Sequence, residues 1–332
     1  MDKVNIPLLV IVFVVFITSC IREDKDDCGI TVRLLYTHNI LSANALKSQV
    51  DEVSLYVFGE DDILVKQYVN VATPLFNDFT VRLTDLKRGN YQFVACAQSK
   101  HIVSGQSYFS IPELKTGVSR VDELTYMMKR EASGFQRHEL NNFLVGMTDV
   151  LIDGGSCVNI ELKKVTNKIR VVILPYTSGS ALDVADYEFS VVDKVGNGHV
   201  NYDYTLLPDK QITYLPYYVA NLMPDDAGAL LPNEIDRAAV VEINTSRLLV
   251  ENAPRLRIIN KKEGEEIVSI NLPWIFSLTE MEHVNKWSIQ EYLDRQDRYS
   301  ITLFFNDNTW MNSTIIINGW VINSLNLNSA EL

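Results

Sequence analysis

The chain has 332 residues, and several residue types are scarce: 15 glycines, 10 prolines, 5 histidines and 4 cysteines. So few glycines and prolines exclude collagen-like and low-complexity chains, and 47% hydrophobic residues allow packed cores. Four cysteines cannot staple a disulfide scaffold. Basic residues number 30 against 42 acidic ones, a net charge of −12. A surface of that sign repels phosphodiester backbones, so nucleic acid is not an expected partner. No apolar run is long enough for a permanent membrane-spanning helix. The longest, Ile6 to Ile17, would rise about 18 Å as a helix against a hydrocarbon core of about 30 Å.

That short run has the layout of an export signal. Lys3 supplies the positive start, Ile6–Ile17 the apolar segment, and Thr18-Ser19 the small residues at the cleavage point. Ile17-Thr18-Ser19-Cys20 resembles the bacterial lipobox, in which the cysteine thiol accepts diacylglycerol and becomes the mature N-terminus. The expected processing removes residues 1–19 and leaves Cys20 lipidated, palmitate-type chains holding the protein to outer-membrane lipid. Two or more acyl chains are the condition for stable anchoring. Residues 20–28 form an acidic tether, Arg22-Glu23-Asp24-Lys25-Asp26-Asp27. A solvated spacer would suffice physically. The run also resembles the surface-export signal of Bacteroidota lipoproteins, which would place the body at the cell surface.

Beyond residue 28 the dominant period is two. Val53, Leu55 and Val57 alternate with Ser54, Tyr56 and Phe58; similar alternation runs through 79–84, 91–96 and 158–163. Further strands are expected at 168–174, 187–193, 255–260, 266–272, 299–305 and 314–322. Turn signals separate them: Gly59–Asp62, Arg88-Gly89-Asn90, Asp153–Gly155, a hairpin turn at Gly196-Asn197-Gly198, and Asn318-Gly319. The pattern predicts antiparallel sheets with one buried face and no doubly wound parallel sheet. Ser288 and Glu291 have capping-box spacing and predict a helix carrying Ile289, Tyr292 and Leu293; a second short helix is expected at 41–49.

A weak internal repeat sets the domain count. Val32–Thr37 is echoed by Ile169–Thr177, and Val50–Phe58 by Val184–Val192, with Val53, Leu55 and Val57 matched by Tyr187, Phe189 and Val191. Two like β-sandwiches are expected, over residues 29–164 and 165–332.

Catalytic motifs are missing. There is no G-x-S-x-G, no phosphate-binding loop and no H-E-x-x-H. Gly196-Asn197-Gly198 begins like a dinucleotide fingerprint but ends in Asn201. His38, His101, His138, His199 and His283 lack ligand spacing, and Glu280–His283 is a lone E-x-x-H, read as surface helix. We expect no enzyme activity, no cofactor and no metal site. Cys28, Cys96 and Cys157 permit at most one internal bridge, with three possible pairings. Trp274, Trp287, Trp310 and Trp320 could stack on sugars, but packing is the default for such side chains. Trp274 follows Pro273 at an expected strand end.

Taken in order, the lipobox at Cys20, Asp27-Cys28-Gly29, Val50–Phe58, Gly89–Ala95, Leu162–Val171, Ile289–Leu293 and Ile315–Val321 resemble the FimB-like fimbrial anchor lipoproteins of type V pili. The resemblance spans nearly the whole chain. It implies two tandem transthyretin-like β-sandwiches and a non-enzymatic role: anchoring the base of a fimbria in the outer membrane and terminating assembly. The implied partner is the major fimbrial stalk subunit, docking by strand exchange, in which a neighbour adds a strand to an open groove. In stalk subunits of this kind, cleavage after a basic residue removes the first strand. Here that strand, about Ile30 to Thr37, is continuous with Cys20, and His38–Ser48 contains only Lys47 as a basic Lys or Arg residue. An uncut first strand is therefore expected. The C-terminal segment Val321–Leu332 has two fates on this reading, donated or folded back. The alternatives are a surface glycan-binding lipoprotein and a fimbrial tip or adhesin subunit.

Overall fold

The computed structural model describes residues 29–72, 79–100, 107–155, 157–176, 182–222, 237–279, 286–306 and 309–323. The fold is all-β, built from mostly antiparallel sheets packed as sandwiches. Two sheets come from the first half. A three-stranded one has the order β10 (Cys157–Glu161), β1 (Ile30–Leu35), β4 (Thr80–Leu83). A five-stranded one runs β11 (Lys163–Lys164), β9 (Phe143–Ile152), β5 (Gly89–Gln98), β2 (Glu52–Phe58), β3 (Leu64–Ala72).

The second half repeats the plan. A six-stranded sheet has the order β16 (Tyr218–Leu222), β17 (Ala238–Thr245), β12 (Asn167–Pro175), β20 (Arg298–Asn306), β21 (Thr309–Ile317), β22 (Trp320–Asn323). Its partner runs β19 (Glu265–Asn271), β18 (Arg255–Asn260), β13 (Tyr187–Asp193), β15 (Ile212–Tyr214), β8 (Phe135–Gln136). A small fifth sheet, β14 (His199–Asn201), β7 (Thr125–Met128), β6 (Phe109–Ser110), joins strands from both halves.

The repeat seen in the sequence has a topological counterpart. β1 lies between a parallel neighbour, β10, and an antiparallel one, β4; β12 lies between parallel β20 and antiparallel β17. β2 and β13 then occupy equivalent places in the opposing sheets, each between two antiparallel strands. These parallel pairs, with β15–β8, depart from the purely antiparallel expectation. Parallel pairing requires a long excursion between the partners, which period-two patterning does not register.

Several local expectations are corrected. β2 is buried on both faces rather than one. Val53, Leu55 and Val57 face a core with Ile30, Val32 and Leu34 of β1, while Tyr56 and Phe58 face a second core. The five-stranded sheet is thus a middle layer, and a strand covered twice needs no polar face. In the second core Phe109 stacks on Phe143 at 4.3 Å and Tyr126 meets Phe143 edge-on at 5.2 Å. That core continues without a break into Val171, Phe189, Tyr214 and Ile301 of the second half.

Gly196-Asn197-Gly198 is not a hairpin turn. It carries the chain from β13 to β14 in a different sheet, pinned by Asp193, whose Oδ1 accepts from the Val195 and Gly196 amides. The expected strand 314–322 is a hairpin, β21 to β22, turned by Asn318 and Gly319 at φ of 50° and 85°. Trp274 sits not at a strand end but in helix α2 (Leu272–Ser277), where Pro273 takes the first turn and Asn271 accepts from the Trp274 amide at 3.1 Å. The helix expected at 41–49 shortens to α1 (Leu46–Gln49). Helix α3 (Ile289–Arg295) starts at Ser288, whose hydroxyl accepts from the Glu291 amide at 3.1 Å. Among the described residues no helix is long and apolar enough to cross a membrane.

Candidate functional site

β1 is the central strand of the three-stranded sheet in the first half. Its residues Ile30, Val32 and Leu34 are almost fully buried, and Thr31, Arg33 and Leu35 face outward. Five register pairs bind it to β10, Thr31 opposite Cys157 through Leu35 opposite Glu161, and four bind it to β4. β1 is thus paired along both of its edges.

The link behind β1 is fixed as well. Asn44 Oδ1 accepts from the Tyr36 amide at 3.0 Å, and Asn39 Nδ2 donates to the carbonyls of Tyr36 and Ala43 at 2.9 and 2.7 Å. The Ala45 amide donates to the Tyr36 carbonyl, and Tyr36 and Leu46 are buried. Asparagines here turn the chain through their own side-chain amides, so no glycine is needed. Arg295 of α3 reaches across to the Asn39 carbonyl at 3.4 Å, which ties this link to the second half. Lys47 is exposed on α1.

A polar junction connects the two halves below that link. The buried Lys164 ammonium pairs with Asp297 and donates to Gln49 Oε1 at 3.0 Å. Burial lowers its pKa, with the nearby Asp297 charge acting in opposition. Arg247 grips Asp294 through two bonds of 2.8 and 2.7 Å and lies over the Tyr204 ring at 4.2 Å. Tyr204 donates to the Lys164 carbonyl at 2.9 Å. Beside these groups opens a cleft of about 360 Å³ whose walls include Asn141, Asn142, Asn167 and Asn244.

His38 is buried against α3, with Nε2 3.8 Å from Glu291 Oε2 and no hydrogen-bond partner. Burial lowers its pKa most; Glu291 opposes that, and Arg295 and Lys163 add to it. His138 stacks on Tyr108 at 5.1 Å, and His199 lies in β14. Among the described residues no three His, Cys, Asp or Glu side chains are grouped to hold a metal ion. Cys96 is buried and Cys157 exposed, and both are free thiols, so they are not bridged to each other. Trp274 and Trp287 pack against the large core, and Arg295 lies over the Trp287 ring at 4.8 Å. Cys20, Cys28, the acidic tether, His101 and Glu280–His283 lie outside the described residues, as do the side chains of Trp310 and Trp320.

Sequence reasoning places a strand at the start of the body but does not say what fixes it. Asn39 and Asn44, Arg295 and the Lys164 cluster carry no local signal, because their partners are distant in the chain. Asn39 and Asn44 in a turn-rich stretch are the one hint that could have been used.

The family of Fimbrillin-A associated anchor proteins Mfa1 and Mfa2 matches residues 24–326. The chain belongs to this family. Membership carries a fimbrial anchor or adhesin role, at the cell surface and in contact with fimbrial stalk subunits. The chain is similar to a Bacteroides thetaiotaomicron protein described as a candidate polysaccharide-binding protein, at 29% identity and TM-score 0.77, covering 92% of this chain and 100% of that one. A candidate adhesin of the same species matches at 27% identity and TM-score 0.76, covering 89% and 97%. The fimbrial anchor protein Mfa2 of Porphyromonas gingivalis shares the fold at 16% identity and TM-score 0.62, covering 89% and 98%. No curated protein matches.

Proposed function

We propose that this chain is a non-enzymatic outer-membrane lipoprotein, acylated at Cys20, that holds the base of a fimbria and ends its assembly. The observation that carries the reading is the closed first sandwich. β1 fills its own groove between β10 and β4, and Asn39, Asn44 and Arg295 fix the link behind it. A subunit whose groove stays filled accepts no donor strand there, so the polymer stops at this module.

The topology suits a load path from lipid to pilus. Tension from Cys20 would enter at the N-terminal end of β1 and leave toward the second module, residues 165–332, through the C-terminal end of β10. Because β1 and β10 are parallel, that tension shears all their register pairs together instead of opening them one at a time. Stalk subunits would dock by strand exchange, adding an extended segment along a free sheet edge. Exposed Val65 and Val69 on β3, and Tyr218 and Val219 on β16, mark two such edges.

Deletion of the protein tests the role: fimbriae shed into the medium or abnormally long are expected, and unchanged surface piliation rejects it. Cys20→Ala tests the lipid: after a high-salt wash, which removes electrostatic attachment, the body should leave the membrane fraction, and attachment that survives the wash rejects acylation at that residue.

A second reading, a glycan-binding surface lipoprotein, is favoured by the amide-lined junction cleft and by the similar B. thetaiotaomicron protein. A glycan array that lights up with wild type and goes dark with Asn142→Ala and Asn244→Ala would support it.

A further inference from the structure

The three-stranded sheet presents a cationic outer face on a protein of net charge −12. Arg33 of β1 and Arg82 of β4 are exposed there and, with Lys47, border a shallow hollow of about 740 Å³. Lys87 and Arg88, in the turn after β4, line a second hollow that also contains Gly29. Among the described residues none of these five cations has an ion-pair partner, although sixteen ion pairs engage other charged groups. The nearby acids are fewer: Asp85 is paired with Lys66, Glu161 is bonded to Thr37, and Asp153 lies in the adjacent turn.

This face surrounds the point where the tether joins the body. A Cβ built on Gly29 would lie 3.0 Å from the Arg82 guanidinium and 2.9 Å from the Leu83 carbonyl. From Cys20 to Gly29 the backbone spans at most about 32 Å even fully extended. A body held on so short a tether must turn some face to the lipid headgroups, and screening leaves attraction effective only within about 8 Å at physiological salt. Resting on acylation at Cys20, we propose that the Arg33–Arg82–Lys87–Arg88 face docks onto a phosphate-bearing lipid surface and sets the orientation of the first sandwich against the membrane. Charge complementarity selects this occupant. A cation close to an anionic surface strengthens binding about fivefold, and several act together.

The test uses the processed chain from residue 20 onward carrying Cys20→Ala, so that both lipid attachment and the apolar Ile6–Ile17 run are absent and only the face is read. Binding is measured by co-sedimentation with vesicles of equal parts phosphatidylcholine and phosphatidylglycerol, and with pure phosphatidylcholine. We expect binding to the anionic vesicles alone, weakened by salt, and lost at least tenfold on combined Arg33→Gln, Arg82→Gln, Lys87→Gln and Arg88→Gln. Arg33→Lys with Arg82→Lys should retain binding, which separates charge from folding. Lys261→Gln with Lys262→Gln, exposed on the second half, should leave it unchanged. Equal binding to both vesicle types, or an unaltered quadruple variant, overturns the proposal. So does binding that appears only after Glu23, Asp24, Asp26 and Asp27 are neutralised, since the face would then be covered by the chain's own tether. None of these outcomes depends on whether Cys20 is acylated in the cell, which release of Cys20→Ala from salt-washed membranes decides separately.

Discussion

Leu34→Ala is the sharpest probe of the retained first strand. Leu34 is 1% exposed and lies in a core closed by Phe79, Val81, Val158 and Ile160, with register neighbours on the β10 side. Truncation removes buried carbons from a site that strands hold on both sides, so little collapse is available. The cost should fall in the upper part of the range for such changes, about 3–5 kcal/mol. For a unit of this size that is a fall in Tm of about 6–20 °C. Arg33→Ala, one residue away on the outer face, should stay within about 0.5 kcal/mol of the parent. Differential scanning calorimetry of the unlipidated Cys20→Ala protein carrying each change reads both values. If Leu34→Ala and Arg33→Ala melt together near the parent temperature, β1 is not part of the permanent core, and termination by a filled groove loses its basis.

His38 gives a pH signature. Its folded pKa lies below the usual 6.5, so as pH falls through that value the unfolded state takes up the proton first and stability declines, until the folded state also protonates. Tm should therefore drop from about pH 7 to about pH 5 more steeply in the parent than in His38→Gln, and equal slopes would reject the burial argument. Gly146→Val should fail to fold or express poorly, because a Cβ there would stand 2.2 Å from the Glu161 carbonyl oxygen; a soluble variant with parental Tm would contradict that close approach. Thiol labelling followed by peptide mapping should find Cys157 modified quickly in the native protein. Cys96 should be protected until unfolding, since burial pushes its thiol pKa up to about 12. Rapid labelling of Cys96 would show the middle sheet to be open.

The residues themselves determined the class of fold and its duplication. Alternation at 187–193 and 255–260 matches β13 and β18 to the residue, and Ser288 with Glu291 marked the start of α3 correctly. These features are local: a period of two or a cap is written within a few neighbouring residues. The matched segments around Val53 and Phe189 pointed to two equivalent modules because equivalent strands need similar inward faces.

What lay beyond reach depended on distant residues meeting. The double burial of β2 arises because the small β14–β7–β6 sheet covers its second face, which Tyr56 and Phe58 alone do not announce. Period-two patterning likewise does not reveal which strands pair, and the β1–β10 and β12–β20 partnerships each link residues more than a hundred positions apart. The path through Gly196–Gly198 was misread because a turn signal says that the chain bends but not to which sheet it goes. The cationic face is the same kind of object. Arg33 and Arg82 become neighbours only once β1 and β4 are paired, because charge density is set by distance in space and not by separation along the chain.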